Sequence, residues 1–132
     1  KTIPSQSTSN PCSVSHAAAV EALSGDQSCI ARMTTAYRER HDYVVDALNE
    51  IKGFECRRGE GTFYAFPKVS DLMDAKGVAT DVDLVELLLN KADIAGVPGS
   101  AFGAPGYVRL SFACSLESLQ ESIRRIKRAM MG

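Results

Sequence analysis

The sequence lacks any apolar run approaching the roughly 20 residues that a membrane-spanning helix needs. It opens without the charged and then apolar pattern of a secretory leader. Basic residues do not cluster, and 15 Lys and Arg against 16 Asp and Glu leave a formal net charge of −1. We therefore expect a soluble, cytoplasmic protein with neither a membrane nor a nucleic-acid partner.

Cysteine is sparse and scattered along the chain. Cys12, Cys29, Cys56 and Cys114 stand far apart and form no CxxC pair. This spacing fits neither a zinc site nor a disulfide framework. We expect buried or half-buried free thiols in a reducing compartment, and no metal site.

Helical patterns dominate what is present. From about residue 27 to residue 51 apolar side chains recur every seven positions, which predicts a long helix with one buried stripe, ended by Gly53. Residues 13–23 are alanine-rich and apolar on too many sides for a lone surface helix, so we expect this helix to need a partner. Asp26, or Ser24 with Gln27, is expected to cap the long helix.

Short alternating stretches between turn residues predict four strands, at 54–57, 62–67, 94–97 and 107–113, the first two forming a hairpin. Thr80 and Asp83 form a capping-box pattern before a helix over 81–92 that we expect to be largely buried, and Ser115 is expected to cap a final helix. Residues 70–77 are expected to form a connector, with one helical turn at most, between the strand at 62–67 and the helix at 81–92. This order predicts an α+β fold, a two-layer sandwich of a small, mainly antiparallel sheet with helices on one side, preceded by a long helix.

A loop rich in glycine and proline, residues 98–106, leads directly into the last predicted strand. In that strand Val108, Leu110 and Phe112 share one face, which we expect in the core, and Arg109 lies on the other. A guanidinium so placed can bind a carboxylate with two parallel hydrogen bonds. The alternative is an exposed arginine in a surface ion pair.

Four stretches, taken in order, resemble the carboxyl-terminal third of the class I and II pyridoxal-phosphate-dependent aminotransferases of fold type I. They are QSTSNPCSVSHAAAVEAL (6–23), YRERHDYVVDALNEI (37–51), GEGTFYAFPKVS (59–70) and VPGSAFGAPGYVRLSFACSLESLQESIRRI (97–126). The bacterial aspartate aminotransferases are the most similar branch. The resemblance implies that residues 1–25 belong to the large domain of a parent enzyme, mobile or swapped here, and that residues 26–132 form its small domain. It also implies a homodimer.

By the same resemblance, Arg109 binds the α-carboxylate of an amino-acid or 2-oxo-acid substrate. Gly99, Ser100 and Phe102 would belong to a lid over the substrate pocket. The alternative for Phe102 is a place in the core beneath a purely structural turn.

The resemblance implies pyridoxal 5'-phosphate as the cofactor of the parent, bound by a lysine in a Ser-Lys segment followed by Gly-x-Arg. That pattern does not occur in these 132 residues. We therefore expect no catalytic residue, no cofactor-binding residue and no activity in this chain by itself. His16 and His41 are interpreted as helix surface residues.

Two hypotheses for function follow. The first is part of an aminotransferase that moves an amino group between aspartate or glutamate and a 2-oxo acid, with aromatic amino acids, alanine or prephenate-type substrates as alternatives. The second is a stand-alone module that binds small carboxylates or a partner and keeps the fold without the chemistry.

Overall fold

The computed structural model describes residues 10–131, so the first nine residues of the segment 1–25 lie outside the described residues. The chain divides into two compact units between Met33 and Thr34. The helices are α1 (Ser13–Ser24), α2 (Ser28–Asn49), α3 (Ser70–Lys76), α4 (Asp81–Ala92) and α5 (Leu116–Met131). The strands are β1 (Tyr64–Ala65), β2 (Val97–Pro98) and β3 (Val108–Ser111).

In the first unit, α1 contains no buried residue, and its apolar side chains Val14, Val20 and Leu23 are exposed. Asp26 caps α2 as predicted, because its carboxylate accepts from the Ser28 N–H at 2.9 Å and from the Ser28 hydroxyl at 2.6 Å. These two hydrogen bonds lower the pKa of Asp26 below its ordinary value.

In the second unit, the sheet is antiparallel in the order β1-β3-β2. Tyr64 pairs with Ser111, and Val97 pairs with Arg109. Each strand is shorter than predicted, but β3 keeps the expected alternation.

The predicted hairpin between 54–57 and 62–67 is wrong. Of residues 54–57 only Glu55 pairs, in an isolated antiparallel bridge to Lys68. The Asn49 side chain accepts from the Cys56 N–H at 2.8 Å and donates to the Cys56 carbonyl at 2.9 Å. Those two backbone groups are therefore unavailable to a neighbouring strand.

One hydrophobic core lies on one side of the sheet and is lined by helices, which confirms the α+β sandwich. Its buried members come from α2, α3, α4, α5 and the inward face of the strands. They include Val44, Leu48, Leu72, Leu84, Leu88, Val108, Leu110, Phe112, Leu119, Ile123 and Ile126. The opposite face of β3 carries no core residue, which leaves it free for a site.

Two helix predictions need correction. The stripe of α2 is buried only in its second half, since Ile30 and Met33 are exposed and precede the segment that contributes to the core. Helix α4 is half-buried rather than largely buried, because Leu84 and Leu88 face the core while Val82 and Leu89 point outward. A helix packed on one side buries one stripe whatever the composition of its other face.

The caps predicted for α4 and α5 are present, and the segment before α4 is more helical than predicted. The capping box of α4 is present, with Thr80 Oγ1 accepting from the Asp83 N–H at 3.1 Å. Ser115 caps α5 by accepting from the Ser118 N–H at 3.2 Å. Residues 70–76 form a full helix, α3, rather than a connector with one turn at most, and the helix ends at Gly77 in the left-handed region.

The expectation of buried or half-buried thiols holds only for Cys56, whose burial raises the pKa of its thiol. The other three cysteines are free and exposed. Within residues 10–131, no helix is long and apolar enough to cross a membrane.

Candidate functional site

Arg109 lies on the side of β3 that faces away from the core. Its neighbours Val108 and Leu110 are buried, while Arg109 is half-buried. The period of two along a strand explains this placement, since alternate side chains point to opposite faces. The strand therefore fixes the base of the side chain and directs the guanidinium toward the open face of the sheet.

Two aromatic rings hold the Arg109 guanidinium. Its central carbon lies 4.3 Å from the centroid of the Tyr64 ring and 4.6 Å from that of the Phe102 ring. We call Tyr64 and Phe102 the aromatic clamp. Stacking on ring faces stabilises the cation and leaves the N–H groups at the guanidinium edge to bind a planar anion.

Other aromatic side chains extend the clamp. Phe66 stacks on Tyr107 with ring centroids 5.1 Å apart, and it meets Phe102 edge to face at 6.2 Å. The register of β1 against β3 places Tyr64 on the same face as Arg109. The site is thus an arginine set in an apolar wall, where a charge-assisted hydrogen bond is stronger than in bulk water.

The charge of Arg109 is not neutralised by the residues that the structure describes. Between residues 10 and 131, no Asp or Glu lies within ion-pair distance of its guanidinium. By contrast, Arg58 pairs with both Asp42 and Asp46. Arg109 therefore has donor capacity left for a ligand.

The loop that delivers Phe102 is a 3-10 turn over Gly99–Phe102. Gly99 donates to the Tyr107 carbonyl at 2.7 Å, and Ala104 donates to the Gly99 carbonyl at 3.0 Å. Gly103 ends the turn in the left-handed region, with φ of 72°. Glycine is needed at 103 for its positive φ, and at 99 because a Cβ there would lie 2.2 Å from the Ala104 carbonyl oxygen.

The three residues predicted to form a lid, Gly99, Ser100 and Phe102, thus share this one turn. Phe102 is 50% exposed and contacts Arg109, so it does not occupy the core. Whether the turn closes over a substrate stays a prediction. Asp81, at the start of α4, is buried and accepts from the Ser100 N–H at 2.7 Å. Sequence reasoning missed Asp81, because an acidic residue in the first turn of a helix is ordinarily explained by the helix dipole.

His41 was also misjudged. Its side chain is only 13% exposed, its Nε2 accepts from the Gly59 N–H at 3.0 Å, and its ring meets Phe112 edge to face. Together with Asp42, Asp46 and Arg58 it forms what we call the charged tether, which binds the 58–62 loop to α2. The hydrogen bond from His41, supported by the charge of Arg58, lowers the pKa of Asp42 below its ordinary value.

The tether borders a cleft of about 650 Å³ between α2 and the 58–62 loop. Its lining includes Tyr37, Arg38 and Glu60. No spacing in the sequence pointed to this cluster, because His41 and Gly59 are distant along the chain. His16, in contrast, is exposed on α1 as expected.

Comparison with known proteins places the chain in a family. The model of the family aminotransferase class I and II matches residues 2–126. The chain belongs to this family.

Individual relatives carry more specific names. The aspartate/prephenate aminotransferase of Nitrosomonas europaea is 47% identical over 130 residues, which are 94% of this chain and 33% of that protein. The aspartate aminotransferase of Geobacillus stearothermophilus is 43% identical over 126 residues, which are 96% of this chain and 32% of that protein.

Solved structures agree with the fold. The crystal structure of the aspartate aminotransferase from Rhizobium meliloti matches with a TM-score of 0.88 and 40% identity, over 98% of this chain and 34% of that one. The aromatic aminotransferase from Pyrococcus horikoshii matches with a TM-score of 0.70 and 36% identity, over 78% of this chain and 26% of that one. The chain spans about a third of the length of the proteins it matches.

Proposed function

We propose that this chain is the carboxyl-terminal part of an aminotransferase that exchanges an amino group between aspartate or glutamate and a 2-oxo acid. Within it, Arg109 binds the α-carboxylate of the substrate. The observation that carries the proposal is the aromatic clamp, which holds a guanidinium without an acidic partner among residues 10–131. Family membership supports the reaction class, and the relatives named aspartate and aspartate/prephenate aminotransferases favour aspartate.

The role of Arg109 in such a reaction follows from its geometry. Two parallel N–H···O bonds would fix both carboxylate oxygens and so orient the bonds at Cα of the substrate. The rings of Tyr64 and Phe102 would keep water from those hydrogen bonds. Phe102, carried by the 3-10 turn, would close one side of the pocket.

Pyridoxal phosphate, when bound to the whole enzyme, supplies the electron sink for bond cleavage at Cα. The side chains around Arg109 do not fit that cofactor by themselves, because a guanidinium is not the amine that forms a Schiff base. No lysine among residues 10–131 follows a serine, as the cofactor lysine of the family does. We assign no residue among 10–131 to the cofactor and propose that the lysine lies in a preceding part of the polypeptide.

The test compares two proteins, the 132-residue chain and a longer polypeptide that includes the natural coding sequence preceding it. Each is assayed for transfer of the amino group from aspartate to 2-oxoglutarate, with added pyridoxal phosphate. We expect activity in the longer polypeptide and none in the shorter chain. Absence of activity in the longer polypeptide with aspartate, glutamate, alanine and aromatic amino acids would overturn the proposal.

The second candidate is a module that binds small carboxylates without chemistry. The Arg109 guanidinium, which has no acidic partner among residues 10–131, supports this candidate too, whereas membership of the aminotransferase family supports the first. Binding of succinate to the 132-residue chain, together with an inactive longer polypeptide, would favour the module over the enzyme.

A further inference from the structure

We propose that Asp81 is a positioning residue for the carboxylate site, because its buried side chain fixes the 3-10 turn that holds Phe102 against Arg109. The effect of Asp81 on carboxylate binding rests on the proposed function of Arg109. The effect of Asp81 on the position of Phe102 rests on geometry alone. Asp81 itself touches neither Arg109 nor the aromatic clamp in any described contact.

The burial of Asp81 is the first observation. Only 3% of this residue is exposed, and it is the one charged residue within 10–131 that is buried. Burying a carboxylate costs free energy unless hydrogen bonds compensate it. A helix dipole does not require burial, since Asp83 serves the same first turn of α4 while exposed.

The partner of Asp81 is the second observation. Its Oδ2 accepts from the backbone N–H of Ser100 at 2.7 Å, across 19 positions of sequence. A hydrogen bond to a carboxylate at this distance is charge-assisted and about twice as strong as a neutral one. The bond joins the start of α4 to the middle of the 3-10 turn.

The first residue of the turn is in close contact with the segment that follows the turn. A Cβ built on Gly99 would lie 2.2 Å from the Ala104 carbonyl oxygen and 2.7 Å from the Tyr107 Cβ. The backbone on that side is therefore already in close contact. Asp81 restrains the next residue, Ser100, so two neighbouring restraints fix the first half of the turn that carries Phe102.

Phe102 is the link to the site. It is two residues beyond Ser100, half of it is exposed, and its ring centroid is 4.6 Å from the Arg109 guanidinium carbon. Outside the core, the described contacts of this ring are with Phe66 and Arg109, so the backbone that carries Phe102 contributes strongly to its position. Loss of the Asp81 hydrogen bond should release Phe102 and leave Arg109 stacked on Tyr64 alone.

The test is nuclear magnetic resonance of the 132-residue chain, because ring currents of Phe102 shift the Arg109 side-chain signals. A Phe102→Ala variant measures how much of the shift Phe102 supplies. We expect Asp81→Ala to lose at least half of that contribution and Asp81→Asn to keep most of it, since an amide oxygen still accepts. Asp83→Ala is the matched control, because it removes the capping box of the same helix without touching the turn.

If Asp81→Ala does not fold, Asp81→Asn carries the test through hydrogen exchange. The Ser100 amide should then exchange about tenfold faster than in the wild type, as expected when a charge-assisted bond becomes a neutral one. Asp83→Ala should leave that rate within about twofold. Unchanged Ser100 exchange in Asp81→Asn, or Arg109 signals unmoved in a folded Asp81→Ala, would overturn the proposal.

Addition of sodium succinate to the same samples separates the two proposals. If succinate leaves the Arg109 signals of the wild-type chain unshifted, that result counts against carboxylate binding. The ring-current comparison still decides the role of Asp81. If the wild type binds, Asp81→Ala should bind about tenfold more weakly and Asp81→Asn within about threefold, in line with a positioning role. Equal affinity in all of them would show that Asp81 has no bearing on the site.

Discussion

Arg58 and Arg109 are two arginines with opposite surroundings. Arg58 lies in the charged tether, 53% exposed, with carboxylates of Asp42 and Asp46 on its two terminal nitrogens. Arg109 lies in the aromatic clamp, with rings on its faces and no acidic partner among residues 10–131. The neighbours therefore distinguish the two cations: the charge of Arg58 is paired and binds a loop to a helix, while the charge of Arg109 lies between rings, where we propose that it binds a ligand.

The largest effect is expected from removing the clamped arginine. Arg109→Ala in the longer polypeptide should lower kcat/KM for aspartate by about 100-fold or more, because each charge-assisted hydrogen bond to the substrate contributes roughly 1.5 to 3 kcal/mol. Steady-state kinetics measure this. Arg57→Ala is the control, since the Arg57 side chain is 89% exposed and its one described ion pair is with Glu55. An equal loss in both variants would contradict the assignment of Arg109 to substrate binding.

A glycine in the turn that carries Phe102 and a glycine in the 58–62 loop give the next contrast. Gly99→Ala should destabilise the chain by about 1 to 3 kcal/mol, since the added methyl group meets the carbonyl oxygens of Ala104 and Tyr107. In Gly61→Ala, in the 58–62 loop, the methyl group meets nothing within 4 Å, so the free energy of unfolding should stay unchanged or rise by up to about 1 kcal/mol. Chemical denaturation compares the two. A tolerated Gly99→Ala would mean that the turn is not held where the structure has it.

Removing Arg58 from the charged tether should have a smaller effect than removing Arg109 from the aromatic clamp. Arg58→Ala removes two exposed ion pairs, whose solvent screening leaves them little net stabilisation. We expect the melting temperature to fall by about 4 °C or less and carboxylate binding to stay unchanged. A loss of substrate affinity in Arg58→Ala comparable to that of Arg109→Ala would contradict the division between the two regions.

The smallest expected effect is a loss of stability at acid pH that comes from Asp42 of the charged tether. The pKa of Asp42 is lower in the folded chain than its ordinary value of 3.8, so its contribution is fully present above that value. It is lost as the pH falls through the lower, folded pKa, where protonation removes the charge that His41 and Arg58 stabilise. Denaturation midpoints between pH 5 and pH 2 should therefore fall less steeply in Asp42→Asn than in the wild type. An equally steep fall of the midpoints in Asp42→Asn and the wild type would exclude Asp42 as a source of this loss of stability.

The contrast also shows what sequence could supply. Alternation in residues 107–113 placed Arg109 opposite Val108 and Leu110, because strand periodicity is local. The capping of α4 and α5 followed from local patterns as well. These features needed no knowledge of which segments meet.

What the sequence missed depends on contacts between distant segments. The Tyr64 half of the clamp requires the register of β1 on β3, and the tether requires Gly59 beside His41. The false hairpin had a similar origin, since one side chain, Asn49, occupies the backbone groups of Cys56. Tertiary contacts override local strand preference in such places.

The most direct test of the central claim is a crystal structure of the longer polypeptide with succinate, a dicarboxylate that resembles aspartate without its amino group. The account predicts one carboxylate lying against the edge of Arg109, with two N–H···O distances of about 2.7 to 2.9 Å and the rings of Tyr64 and Phe102 on either side. Succinate bound elsewhere, with Arg109 paired to an acidic side chain of the protein itself, would contradict the claim that Arg109 receives the substrate.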